Sequence, residues 1–306
     1  MNVLFSSDNN YARHLGVAIY SLLSHNTSIP LIRIYVIDNN ISLENITKLN
    51  QLISSFGNAE MILIPFRKWA DSLHLNMMWP ISLSSYARLF VADMLPLDVN
   101  RVLYMDCDML VREKISELWS TDLGENLIGA VQDQVSETAK TRIGLDPSEQ
   151  YFNAGLLLID LKKWRNARIG DKCVRFIEAH DGQVMHHDQG VLNGVLKNQW
   201  VRLPLKFNVM TIHYMMSQKR ILSFFREKSS FYDKEEIDEA KLQPVILHYT
   251  PSFTSHPWEC NCKHPMRNLY LEVQKQTLWT DCPLEKSKSP WYVKLINYYY
   301  RNFPIF

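Results

Sequence analysis

Short apolar runs alternate along the chain with longer amphipathic ones. Val3-Leu4-Phe5 reads as a strand, closed by the polar run Ser6-Ser7-Asp8-Asn9-Asn10. Leu15, Ala18, Ile19, Leu22 and Leu23 then recur at the i, i+3, i+4, i+7 spacing of one helix face. Leu31 to Ile37 is rich in β-branched residues and stops at Asp38-Asn39-Asn40, a second strand and loop. Residues 42–56 predict a helix, with Ser42 and Asn45 near its start and Gly57 just past its end. Met61 to Ile64 predicts a third strand, stopped by Pro65. This alternation predicts an α/β fold with a mainly parallel central sheet covered by helices on both faces. Ligands of such sheets lie beyond the carboxyl ends of the strands, so the polar tips are where chemistry is expected.

Composition narrows the function classes. The 306 residues are 46% hydrophobic and 21% charged, and a chain of this size buries roughly three-quarters of its unfolded surface. Neither a disulfide nor a metal is needed to hold the core. Against 33 Lys and Arg stand 32 Asp and Glu, a net charge of +1, which removes any global pull toward nucleic acid. The five cysteines, Cys107, Cys173, Cys260, Cys262 and Cys282, are odd in number and scattered. With no basic stretch followed by an apolar one at the start, they predict free thiols in a reducing cytoplasm. The longest apolar runs, such as Gly155 to Ile159, are strand-sized and too short to cross a bilayer.

The character changes after Pro283. Lys286, Lys288, Lys294 and Arg301 interleave with Trp291, Tyr292, Tyr298, Tyr299, Tyr300 and Phe303. Such a helix-capable tail suits the inner face of a membrane, and it equally suits packing on the domain. The expected division is a body over 1–282 and a basic, aromatic tail over 283–306.

The strongest chemical signal is Asp106-Cys107-Asp108. It follows the strand Arg101 to Met105, and Met109-Leu110-Val111 resumes the apolar run. In extended backbone, residues i and i+2 share a side, so two carboxylates would point one way from a greasy stretch. Desolvation and mutual repulsion disfavour that arrangement unless a divalent cation joins it. Oxygen ligands suit Mg²⁺ or Mn²⁺. Cys260, Cys262 and His264 do not form a zinc pattern, because Cys-x-Cys is not the usual Cys-x-x-Cys spacing.

Around this motif, the sequence resembles glycosyltransferase family 8, particularly the bacterial lipooligosaccharide α-galactosyltransferases. The likeness covers residues 1 to about 265 in six ordered blocks. They are Ser7 to Tyr11, Ile81 to Leu89, Val102 to Val111, and Tyr151-Phe152-Asn153-Ala154-Gly155. The last two are Asp188-Gln189 with Val191-Leu192-Asn193, and His248-Tyr249 with Pro257-Trp258.

The resemblance implies a GT-A-like nucleotide-sugar fold and a retaining transfer of galactose or glucose from a UDP-sugar to a glycan, glycolipid or glycoprotein. It implies that Asp8 and Asn10 hold the uracil and that Tyr11 stacks on it. Asp8 and Asn10 read locally as a loop and helix cap as well. Asp106, Asp108 and His248 would bind the metal, and the imidazole favours Mn²⁺ over Mg²⁺. Arg88 would face the donor's sugar and phosphates; locally it reads as a surface arginine on a helix from Ser84 to about Leu95. Asp133 would line the acceptor or sugar side, and Asn153 and Asp188 would bind hexose hydroxyls. Asn153 and Gly155 also read as a bend in a buried strand.

Gln189 would lie beneath the anomeric carbon. An amide is neither the base of an inverting enzyme nor the nucleophile of a double displacement, so a front-face route fits, with the departing phosphate taking the acceptor's proton.

This chain departs from the family twice. After the metal histidine, the family reads His-x-x-Gly-x-x-Lys-Pro-Trp. Here His248 to Trp258 is two residues longer, lacks the glycine and has His256 where the lysine would stand. Gly190 follows Gln189 where an acidic residue is common. A hydrolase or nucleotidyltransferase acting on the same UDP-sugar, and a weakly active UDP-sugar-binding protein, are the rival readings.

Overall fold

The computed structural model of the chain describes residues 1–66, 86–251 and 253–286. Ile81 to Ser85, Ser252 and the tail beyond Lys286 therefore lie outside the described residues, and so does the start of the helix expected from Ser84. Among the described residues, the main sheet holds β1 (Asn2–Asp8), β2 (Ile32–Asn39), β3 (Ala59–Pro65), β4 (Arg101–Met105), β6 (Ile128–Asp133), β7 (Tyr151–Asp160) and β8 (Trp200–Arg202). A small second sheet holds β5 (Met109–Val111), β9 (Val209–Met210) and β10 (Ile246–His248).

The main sheet runs in the order β3-β2-β1-β4-β7-β6-β8. Its pairings are parallel except those of β7, which is antiparallel to both β4 and β6. The reversal brings the first residues of β7 to the edge where β4 and β6 end: Met105 pairs with Leu156, and Asp133 with Tyr151.

Both faces of this sheet are covered, as continuous apolar strands require. Val3, Phe5, Ile34, Val36, Leu103, Met105, Leu156 and Leu158 join one core cluster. Leu4, Tyr35, Ile37, Val102, Tyr104, Leu157 and Ile159 join the other. The period-two pleat sorts neighbours to opposite faces.

Helix α1 (Ala12–His25) and helix α2 (Leu43–Ser54) follow β1 and β2. The side chain of Ser42 accepts from Asn45 N–H at the start of α2, and Gly57 takes a φ of +72° just past its end, a conformation that glycine reaches without strain. β1 extends through Asp8 rather than stopping at Phe5, because Ser7 and Asp8 continue the parallel ladder against Asp38 and Asn39. From Tyr86 onward the predicted helix is a 3₁₀ turn, Ala87–Phe90, and one α turn, Val91–Met94. No helix among the described residues is long and apolar enough to cross a membrane.

Candidate active site

Three side chains meet where the two sheets join. Asp106 N–H adds one more bond after β4, donating to the Gly155 carbonyl at 2.8 Å. The chain then turns at Cys107 and Asp108 and enters β5 in the other sheet. The extended backbone expected through Asp-x-Asp is thus interrupted, and the carboxylates converge because the chain changes sheets between them. Register delivers the histidine: His248 ends β10 opposite Met109 of β5, and Tyr249 N–H donates to the Asp108 carbonyl at 2.9 Å.

His248 Nε2 lies 3.2 Å from Asp108 Oδ1 and 4.0 Å from Asp106 Oδ2. One ligand atom from each of the three residues falls within 4.8 Å of the others. Two carboxylates and an imidazole, without sulfur, fit a divalent ion such as Mn²⁺ or Mg²⁺. Gly155 permits this closeness. A Cβ there would overlap His248 Cε1 and sit 2.7 Å from Asp106 Oδ2.

Burial opposes the charged imidazole of His248, but the Asp108 carboxylate and its hydrogen bond outweigh it, and the pKa is raised. Burial likewise opposes the Asp108 anion, yet His248 and His256 bring that carboxyl down to about 2. Asp106 is shifted upward, by burial first, with Arg88 pulling the other way.

Arg88 is buried, which removes the surface reading of that residue. Its Nη2 lies 2.9 Å from Asp106 Oδ1 and its Nε 2.8 Å from Asp188 Oδ2. It also donates to the Ala154 carbonyl at 2.7 Å and sits over the Tyr104 ring at 4.7 Å. Tyr104 O–H donates to Asp106 Oδ1 at 2.9 Å. Oδ1 is therefore taken by Tyr104 and Arg88. Oδ2, apart from a long 3.5 Å contact to Arg88 Nη1, turns toward His248.

Asp133, Asn153 and Gln189 form a second group beside the first. Asp133 Oδ2 accepts from Asn153 Nδ2 and from Gln189 Nε2, both at 3.2 Å, and Oδ1 accepts from Gln134 N–H at 2.8 Å. Gln189 Oε1 accepts from Ala154 N–H at 3.0 Å and from Asn153 Nδ2 at 3.3 Å. Asn153 Oδ1 accepts from Gly155 N–H and from Asn208 Nδ2, both at 3.0 Å. An amide offers two donors and two acceptor sites, so Asn153 is fully engaged within the protein. It is the hub of this network.

Asp188 opens the helix His187–Val195 just before Gln189. His186 and His187 enter that helix in the left-handed region, at φ 59° and 53°. In this tight loop, a Cβ on Gly190 would overlap the Met185 carbonyl oxygen. The missing acidic residue at Gly190 thus has a packing cause.

A cavity of about 460 Å³ opens on the other side, lined by Asn10, Tyr11, Ser255, His256, Trp258 and Glu259 among others. His256 Nε2 lies 3.8 Å from Asp108 Oδ2 and Nδ1 lies 3.3 Å from Glu259 Oε1. Its ring stacks on Trp258 at 4.5 Å, and Trp258 stacks on His14 at 3.6 Å. Asp8 Oδ1 accepts from Tyr11 N–H at 3.0 Å, which closes the turn ahead of α1, while the helix itself starts after Tyr11 without a side-chain cap. Burial, then the Asp108 carboxylate, pushes the Tyr11 hydroxyl upward.

The family model for Glycosyl transferase family 8 matches residues 2–262. The chain belongs to glycosyltransferase family 8. Within the family it is 29% identical over 283 residues to General stress protein A of Bacillus subtilis, covering 91% of this chain and 94% of that protein. It is 28% identical to the lipopolysaccharide 1,2-glucosyltransferase of Escherichia coli, covering 94% of this chain and 82% of that protein. A crystal structure of the galactosyltransferase LgtC with donor and acceptor sugar analogs is 31% identical. It superposes with a TM-score of 0.72, covering 91% of this chain and 96% of that one.

The family membership and the GT-A-like fold expected from the sequence are therefore established. The enzyme is a sugar transferase, and its Asp-Asp-His cluster is consistent with a metal site. Two residues of the site escaped the sequence reading. Tyr104 lies within a quoted block but reads as an ordinary strand residue. Asn208 is a lone amide in the run Leu205-Lys206-Phe207-Asn208-Val209-Met210, flanked directly by Phe207 and Val209, and that was its only signal.

Proposed function

We propose that this family 8 enzyme retains anomeric configuration while moving galactose or glucose from a UDP-sugar to a glycan, glycolipid or glycoprotein, in the synthesis of surface glycans. The observation that carries the reading is the meeting of Asp106, Asp108 and His248 against the Asp133–Asn153–Gln189 network. Relatives named for glucose and galactose transfer support the hexose. Asp106, Asp108 and His248 would hold the ion, Mn²⁺ ahead of Mg²⁺ because nitrogen is among the ligands. When bound, that ion neutralises charge on the leaving diphosphate.

The remaining roles fall to the chain itself. Asn10 and Tyr11, with Asp8 behind them, receive the uracil in the cavity, and His256 offers a ring N–H toward the diphosphate. Asp133 and Asp188 accept from hexose hydroxyls, while Arg88 holds Asp106 and Asp188 in fixed relation. A double displacement needs a carboxylate nucleophile, but Asp188 is committed to Arg88 at 2.8 Å. Gln189 is anchored at both ends of its amide and orients the anomeric carbon. The departing phosphate oxygen then takes the acceptor's proton on the face it leaves, and retention follows from positioning. The catalytic body is 1–282, and the basic, aromatic residues of 283–306 suit contact with the inner face of a membrane.

The test is UDP release with UDP-galactose, UDP-glucose and their N-acetyl forms, with Mn²⁺, with and without a glycan acceptor. Acceptor-stimulated release from a hexose donor is expected. Release indifferent to every acceptor would favour the hydrolase, and no turnover of any donor would favour a binding protein.

A further inference from the structure

We infer that Asn208 is a positioning residue: it fixes which nitrogen of His248 faces the metal ligands and ties that choice to the geometry of Gln189. The inference builds on the metal reading above. Asn208 is completely buried, between the 3₁₀ turn Leu205–Phe207 and β9, and its side chain bonds to Asn153 and to His248.

Backbone groups settle the direction of every bond in the network. A backbone N–H can only donate. Gly155 N–H meets Asn153 at 3.0 Å, so the atom it meets must be the amide oxygen. That oxygen also faces the Asn208 side chain at 3.0 Å, so Asn208 presents its NH₂ there. Its own oxygen is then the atom 2.9 Å from His248 Nδ1. A carbonyl oxygen accepts, so His248 carries its proton on Nδ1. Nε2, 3.2 Å from Asp108 Oδ1, is then the nitrogen turned to the cluster: it donates to that carboxylate while the ring is protonated, and in the neutral ring its lone pair is what an ion would meet.

The same logic runs the other way. Ala154 N–H meets Gln189 at 3.0 Å and fixes that atom as oxygen. The Gln189 NH₂ is thereby sent to Asp133 Oδ2 at 3.2 Å. Two adjacent N–H groups in β7 thus set both the imidazole tautomer and the orientation of the amide beneath the sugar. A ligand histidine held through its other nitrogen is oriented and made more basic, and loss of such a partner costs about 10–100-fold in metal affinity.

Two substitutions separate the arms. Asn208→Leu removes both bonds while keeping the same branching of heavy atoms. Asn208→Asp keeps an acceptor for His248 Nδ1–H but places an oxygen against Asn153 Oδ1, which cannot rotate away because Gly155 N–H holds it. The readouts are the ¹⁵N NMR tautomer of His248 in metal-free protein at alkaline pH, Mn²⁺ affinity by calorimetry, and kcat. Wild type should show the Nδ1–H form.

Asn208→Leu should lose that form and bind Mn²⁺ about 10–100-fold more weakly. Asn208→Asp should keep the tautomer and Mn²⁺ affinity within a few-fold while kcat falls at least tenfold. If Asn208→Leu does not fold, Asn208→Asp alone decides, since wild-type kcat in that variant overturns the coupling. An Nε2–H tautomer in wild type, or an unchanged one in Asn208→Leu, overturns the assignment. Wild type with the Nδ1–H form but no Mn²⁺ binding would sink the metal reading and leave the relay standing.

Discussion

On the side proposed for the sugar, Asp133, Asn153, Gln189 and Asn208 bond to one another and to the backbone until each amide is engaged. On the side proposed for the nucleotide, the loop after His248 buries Thr250 Oγ1, Ser255 Oγ and Glu259 Oε2 with no hydrogen-bond partner among the described residues. A buried polar atom without a partner costs about 1–3 kcal/mol, so the second wall is less stable as it stands. A satisfied network is rigid and ready for a sugar. Two residues of the second wall, Ser255 and Glu259, line the cavity that the proposed function gives to the nucleotide. Substitutions on the sugar side should therefore strike turnover, and those on the nucleotide wall should grade affinity.

The steepest loss is expected where the two sides share a residue. Asp106→Asn or Asp108→Asn removes a charged ligand and should lower Mn²⁺-dependent turnover roughly 10³-fold, about 4 kcal/mol of barrier. The thermal unfolding midpoint should stay near wild type. Full activity of either variant in EDTA would end the metal assignment.

Gln189→Ala comes next, at about 10²-fold in kcat, the scale of a misplaced reacting group. Its donor KM should change little, no glycosyl-enzyme adduct should appear by mass spectrometry, and the product should stay α-linked by its anomeric proton coupling. A β-linked product from wild type would send the search for a general base to Asp133, Asp188 and His187.

The third expectation concerns pH. The raised pKa of His248 means that a proton competes with metal for Nε2. Mn²⁺ affinity should be full above that pKa and fall by about tenfold or more per pH unit below it, because the raised Asp106 carboxyl takes up a proton in the same direction. The Asp108 carboxyl, brought down to about 2, does not contribute to this fall in the mildly acidic range. Calorimetric Kd values across mildly acidic to mildly alkaline pH check the sign. Affinity that rises on acidification would contradict it.

The fold was legible because it is local. Periodicity in residues 1–65 marks β1, α1, β2, α2 and β3 to within a few residues. The reversed β7 was not, since a continuous apolar strand such as Gly155 to Ile159 reads the same in either direction. Asp106 and Asp108 were legible as a pair but for an incomplete reason, because a turn between sheets leaves no mark in three residues. Tyr104 and Asn208 act through partners far along the chain, at Arg88, Asn153 and His248, and only tertiary pairing supplies those.

The smallest effect tests whether the nucleotide wall is as forgiving as its spare polar atoms imply. His256 stands where the family has lysine and is held between Trp258, Glu259 and Asp108 at 4.5, 3.3 and 3.8 Å. Removing it deletes one donor toward the diphosphate and the face of a stack, in a cavity open to water. His256→Ala should weaken UDP binding roughly three- to tenfold, about 0.7–1.4 kcal/mol. His256→Lys should keep or improve it, since a lysine ammonium is a strong point charge for phosphate, although it gives up the flat contact with Trp258. UDP titrations of the three proteins measure this, and equal affinities throughout would place His256 away from the diphosphate.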